Sequence, residues 1–147
     1  MADKTTTAAG LSKEERDAVK QRTKELREQA KAGKNREAGL KQVQEAIDKL
    51  DGLDKELAET YHKLVLEVAP DLVPKTFYGF PAYANAQGKV VTFFQPASKF
   101  KTRYATINFD EPAHLDDGDV WPVSFAVLAW TADVEKKFRA LVATAIS

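Results

Sequence analysis

The chain contains no cysteine. That excludes disulfides, thiolate metal sites and thiol nucleophiles, and it is compatible with a reducing compartment. Histidine is nearly as scarce: His62 and His114 are the two present, and neither sits in a nucleophile, base or zinc motif. The seven glycines are scattered, so there is no glycine loop of the kind that cradles phosphate. An excess of charge is missing as well. Twenty-two basic residues balance 22 acidic ones, so no global field draws the protein to nucleic acid or anionic lipid. The longest apolar run, around Val120 to Trp130, falls far short of the roughly 20 residues of a membrane span. The opening MADKTTTAAG lacks the apolar core of a signal peptide. Together these absences lead to the expectation of a soluble cytoplasmic protein with no membrane partner and no membership of a familiar enzyme class.

What is present suits one compact domain with an appended segment, since 147 residues at 44% hydrophobic can bury a real core. Residues 1–10 are small and polar and read as a disordered tail. Ser12 followed by Glu15 is the reciprocal pair that opens a helix. The main apolar positions of this stretch, Leu11, Val19, Leu26 and Ala30, form a thin stripe. Residues 11–41 hold ten basic and six acidic side chains, with a break expected at AGKN, 32–35. Residues 11–39 thus read as a basic helical extension, able to meet acidic protein or RNA through charge alone. The main domain is expected over 40–147.

In that domain Leu40, Val43, Ile47 and Leu50 mark one helical face. Asp51-Gly52 supplies a stop. Asp54 is expected to cap a second helix with an inward stripe of Leu57, Tyr61, Leu64, Val65 and Val68, ended by Pro70 and Pro74. The period then changes. TFYGFPAY (76–83), a polar NAQG loop, KVVTFFQ (89–95), RYATINF (103–109) and VWPVSFAVLAW (120–130) read as strands, the last apolar on both parities and so expected to be central or covered on both faces. A final helix is capped by Thr131 and carries Val134, Phe138, Leu141 and Val142 inward. This order predicts an α+β domain: a mostly antiparallel sheet of four to five strands, covered by helices, with an N-terminal helical extension.

The words FYGFPAY, GKVVTFFQPASKFKTRYATINF and VWPVSFAV, within a span of roughly Leu40 to Ile146, give the chain a family likeness. It resembles the YdhG-like family of small bacterial domains, some of whose members are described as frataxin-like iron chaperones. The resemblance implies an α+β fold and iron binding with delivery to a protein acceptor. The basic extension lies outside the shared part.

Three groups of residues are candidate sites. If TFYGFPAY is one strand, Gly79 and Pro81 clear space between rings on an edge or bulged strand, leaving a gap bordered by Tyr83 and Tyr78. That gap would take a planar or apolar ligand; the bland alternative is that the rings fill the core. Lys99, Lys101 and Arg103 alternate, so on an extended chain they form one row able to hold a small anion, or else a solvated edge. Three charges are too few to argue for nucleic acid. For the iron role, Asp116, Asp117 and Asp119 of the acidic loop and the helical pair Glu56 and Glu59 supply the oxygen ligands that hard cations accept, and His114 in the same loop would suit iron. The plain alternative for both is a polar turn and a solvated helix face. Two functions follow: a binding protein with a weak iron site, or a metal-free module for a small anion or a protein partner.

Overall fold

The computed structural model describes residues 12–147 and, within them, every side chain except those of 21–22, 24–26 and 28–34. The tail expected over 1–10, and the stripe positions Leu11, Leu26 and Ala30, lie outside that description. Among the described residues the order is α1 (Lys13–Asp48), α2 (Gly52–Val68), β1 (Val73–Phe77), β2 (Phe80–Ala84), β3 (Val90–Gln95), α3 (Ala97–Phe100), β4 (Ala105–Phe109), β5 (Ser124–Val127) and α4 (Ala132–Ala145). The five strands form one antiparallel meander in chain order, so the fold is α+β as expected. No described helix is long and apolar enough to cross a membrane.

The chain divides into two units, Met1–Asn35 and Arg36–Ser147, a little earlier than the boundary expected at residue 39. In the first, the Ser12 hydroxyl oxygen accepts the Glu15 N–H and donates to the Glu15 carboxylate, each at 3.1 Å. The cap therefore closes side chain to side chain. The break expected at AGKN does not occur: α1 runs through it, because one glycine in a helix costs about 1 kcal/mol relative to alanine and no proline is present to stop the turn.

In the second unit, α1 buries Val43 and Ile47 completely, α2 buries Leu57, Ala58, Tyr61, Leu64 and Val65, and α4 buries Phe138, Val142 and Ala145. All three pack on one face of the sheet, where Tyr83, Phe94, Ile107, Phe109 and Val127 complete the core. Strand β4 shows the resulting two-sidedness: Ala105, Ile107 and Phe109 are buried while Thr106 and Asn108 between them stay partly exposed. Arg139 on α4 bridges Glu67 of α2 and Glu135 of its own helix. Its guanidinium hydrogen bond holds the Glu67 carboxyl below its ordinary range.

Several local expectations are corrected. TFYGFPAY is not one strand. Tyr78 and Gly79 have φ of 51° and 80°, and Phe77 pairs with Phe80 across them. Two positive-φ residues between paired strands make the two-residue turn whose twist suits a hairpin. Strand β2 is therefore internal, with β1 at the edge. Pro81 is accommodated because the pairing of β2 with β3 runs from Ala82 to Ala84, so no β3 carbonyl asks for its missing N–H. The expected bulge lies at Tyr83/Ala84. Beside it Val91 and Thr92 both turn toward the helices.

Strand β5 is shorter than VWPVSFAVLAW and lies at the other edge, with Val120 and Leu128 at its flanks 83% and 57% exposed. Apolar content on both parities was thus no sign of a central strand. Helix α1 stops at Asp48 and α2 begins at Gly52, whose φ is 55°, so that glycine opens a helix instead of closing one. Asp54 caps a different helix from the expected one: its two carboxylate oxygens accept the N–H groups of Ala97 and Ser98 at 2.9 and 3.0 Å. Thr131, by contrast, caps α4 as expected, accepting the Val134 N–H at 3.2 Å.

The edge at β1 is closed by α1. Arg36 donates to the Leu72 carbonyl at 2.6 Å, and Gly39 lies so near β1 that a Cβ built on it would fall 1.8 Å from the Pro74 oxygen. Helix and strand backbones touch there because residue 39 has no side chain. Gly39→Ala gains helix propensity but forces the two elements apart, which in a packed interior costs about 1–3 kcal/mol. Urea unfolding of the full chain should show a loss of about that size; an unchanged or raised midpoint would refute this packing.

Candidate functional site: an aromatic groove on the open face

Cross-strand pairing decides where each ring goes. Phe77 pairs with Phe80, and Ala82 with Phe93, so these residues share the face turned away from the core. Phe80 stacks parallel to Phe93 at 6.4 Å, Phe93 meets Phe77 at 5.2 Å, and Phe77 meets Tyr78 edge-on at 4.6 Å. Phe100, from the single turn of α3, closes the far side against Phe80 at 5.8 Å. These spacings are those of favourable aromatic pairs. The five rings with Gln95 and Lys99 line a groove of about 550 Å³, within the roughly 300–1,000 Å³ of small-molecule sites.

Helix α3 exists at this place because Asp54 caps it, and Lys101 ends it at φ 54°. The cap sets Lys99 over the hairpin tip. Its ammonium donates to the Tyr78 carbonyl at 2.9 Å and lies 4.5 Å from the centre of the Phe80 ring. Gly79 keeps that space open, since a Cβ there would approach the Lys99 Nζ to 3.1 Å.

Tyr78 is the unusual member. It is 80% exposed and holds a positive φ, a conformation that costs a residue with a Cβ roughly 1–2 kcal/mol. Asn or Gly would suit the turn better. What the tyrosine adds is one wall of the groove.

The structure brings together part of the sequence-predicted set. Tyr78, Gly79 and Lys99 converge. Pro81 and Tyr83 do not: both are buried on the helix-covered face, so the gap expected beside Tyr83 is core. Nor do Lys99, Lys101 and Arg103 form a row. The helical turn at 97–100 and the left-handed Lys101 break the expected alternation, and the Arg103 guanidinium lies 5.2 Å from the Tyr104 ring. Phe77, Phe93, Gln95 and Phe100, which sequence reasoning did not assign to a site, line the groove instead. The signal that could have found them is Tyr-Gly as the two central residues of a hairpin turn.

Behind the sheet, the polar side chains form two separate hydrogen-bonded sets. Thr92 gives its hydroxyl proton to the Asn108 carbonyl at 2.8 Å. The Tyr61 hydroxyl, 2.7 Å from the same Oγ1, must then be the donor. His62 Nδ1 and the Tyr83 hydroxyl are 2.8 Å apart with their rings stacked. Burial pushes both tyrosine hydroxyls up and the His62 imidazole down.

The expected metal ligands stay dispersed. Glu56 and Glu59 are exposed on α2, and Glu59 pairs with Lys55 at 4.0 Å. His114 has its Nδ1 on the Ser147 carbonyl at 2.7 Å, while Asp116, Asp117 and Asp119 face solvent in a loop that forms turns and no helix. At the start of that loop the Asp110 carboxylate accepts the Glu111 N–H at 2.9 Å. Among the described residues no three His, Asp or Glu side chains gather closely enough to hold a metal ion. His114, Asp116 and Glu111 do share a cavity of about 730 Å³ with Lys89 and Asp71.

Comparison with protein-family models, curated proteins and solved structures finds no match.

Two outcomes follow from this geometry. Because burial lowers the folded pKa of His62 below its ordinary 6.5, the unfolded chain binds the proton more readily. The stability this contributes is complete well above pH 6.5 and is lost as the pH falls through 6.5 toward the folded value. Thermal unfolding of the parent should weaken across that window more than that of His62→Gln; equal slopes would contradict the burial. Tyr78→Asn relieves the positive φ but removes the edge contact with Phe77, two opposing effects on the order of 1 kcal/mol each. Chemical denaturation should therefore place it within about 1 kcal/mol of the parent, and a larger loss would mean the ring is structural.

Proposed function

We propose that the protein is a metal-free binding module that seats its ligand in the groove formed by Phe77, Tyr78, Phe80, Phe93 and Phe100. The observation that carries this reading is the exposed Tyr78 held at positive φ at the groove's rim. Local strain retained where a better turn residue exists is a mark of a functional position. The lining supports holding rather than bond-breaking: ring carbon with one phenol, one amide and one ammonium. The iron reading implied by the family resemblance has less support, since its carboxylates stand apart on exposed surfaces.

The test is binding of an aromatic probe such as anilinonaphthalene sulfonate to the full chain, followed by its fluorescence. Tyr78→Asn and Phe100→Ala, both at solvent-exposed positions, should each weaken binding about tenfold or more, equivalent to about 1.4 kcal/mol, while circular dichroism stays unchanged. Equal binding by parent and both variants would reject the groove. Under anaerobic conditions Fe(II) should give no calorimetric heat; heat abolished by changing Glu56 and Glu59, or Asp116 and Asp117, to Asn or Ala would restore the iron reading.

A further inference from the structure

We infer that the ligand of the groove is a flat aromatic acid, its ring held between Tyr78 and Phe100 and its carboxylate held by Lys99. This rests on the groove being the binding site and names what it selects. Charge complementarity carries the argument. Among the described residues Lys99 is the one cation lining the groove, and no carboxylate lines it. An ammonium has three donors. One goes to the Tyr78 carbonyl and the Phe80 face takes another side of the charge, which fixes the Nζ at the rim and leaves donor capacity toward the cavity. Gln95 offers an amide along the same wall.

An anion at that point lies against aromatic carbon, where a charge pair is worth more than in bulk water. Its partner is already positioned, so little side-chain freedom is lost on binding. The rest of the ligand is set by the walls. Rings 5.2 to 6.4 Å apart across Phe77, Phe93, Phe80 and Phe100 present faces and edges that another aromatic slab can join with the same geometry.

A nucleic-acid strand would need further cations in line with Lys99 to follow its phosphates. Lys101, itself the left-handed residue, is not part of the groove lining, and Arg103 lies over Tyr104. One acid matched to one ammonium fits; a polyanion does not.

The experiment is calorimetric titration of the full chain with naphthoate and with its neutral amide, for the parent, Lys99→Met and Phe100→Ala. The parent should bind the acid about tenfold more tightly than the amide. Lys99→Met should abolish the preference, leaving acid and amide with equal affinities, whereas Phe100→Ala should weaken both and keep the preference. Should Lys99→Met fail to fold, the parent at low and high salt decides: the acid should weaken with salt and the amide should not. Equal affinities in the parent, or selectivity that survives both Lys99→Met and high salt, overturn the acid while the groove stands, provided Phe100→Ala still weakens binding. Binding of neither compound, or binding insensitive to Phe100→Ala, overturns the groove as well. A short oligothymidylate that binds more tightly than naphthoate, with a steep salt dependence, overturns the small acid in favour of a nucleic-acid strand.

Discussion

The open face depends on two residues of backbone. Tyr78 and Gly79, both at positive φ, reverse the chain inside what would otherwise be a single strand. Phe77 and Phe80 are thereby paired on one face, where an uninterrupted strand would have sent them to opposite sides. From that reversal follow the positions of Phe77, Tyr78 and Phe80 in the groove. The turn is in turn fixed from outside, because Lys99 holds the Tyr78 carbonyl, and Lys99 is placed by a helical turn that Asp54 caps from α2. Asp54 thus acts on the Tyr78 carbonyl through the turn that carries Lys99.

The two faces of the sheet carry different work. The helix-covered face holds the buried apolar side chains, the Tyr61–Thr92 and His62–Tyr83 contacts, and the direct approach of α1 to β1 at Gly39. Stability resides there, since buried polar groups left without partners and overfilled cores are the costly errors. The open face holds exposed or half-exposed rings at Tyr78 and Phe100, whose removal creates no buried cavity.

Much of the helical architecture was legible in the sequence. The stripes of α2 and α4, the cap at Thr131, the polar loop before β3 and the strands within KVVTFFQ and RYATINF follow from period and punctuation, which are local signals. The candidate site was legible in part: Tyr78, Gly79 and Lys99 are where the sequence directed attention. The remainder depends on information that is not local. Nothing in TFYGFPAY distinguishes a strand interrupted by glycine from a hairpin with tyrosine at positive φ, a conformation that residue rarely adopts. Reading one strand put Tyr83 in the gap and Phe80 out of it. Asp54 looked like the cap of its own helix because its true partners, Ala97 and Ser98, are far along the chain. Gly39 carried no visible role because its reason is the Pro74 carbonyl opposite it. The SKFKTRY row failed since alternation implies one face only on an extended chain.

The central claim, that binding occurs on the open face beside the Tyr78–Gly79 turn, is tested most directly by amide chemical-shift mapping of the isotopically labelled full chain during addition of naphthoate. Saturable shifts confined to residues 77–80 and 93–100 are expected, with the amides around His62 and His114 unmoved. Shifts centred on the cavity beside His114, or on the helices behind the sheet, would contradict it.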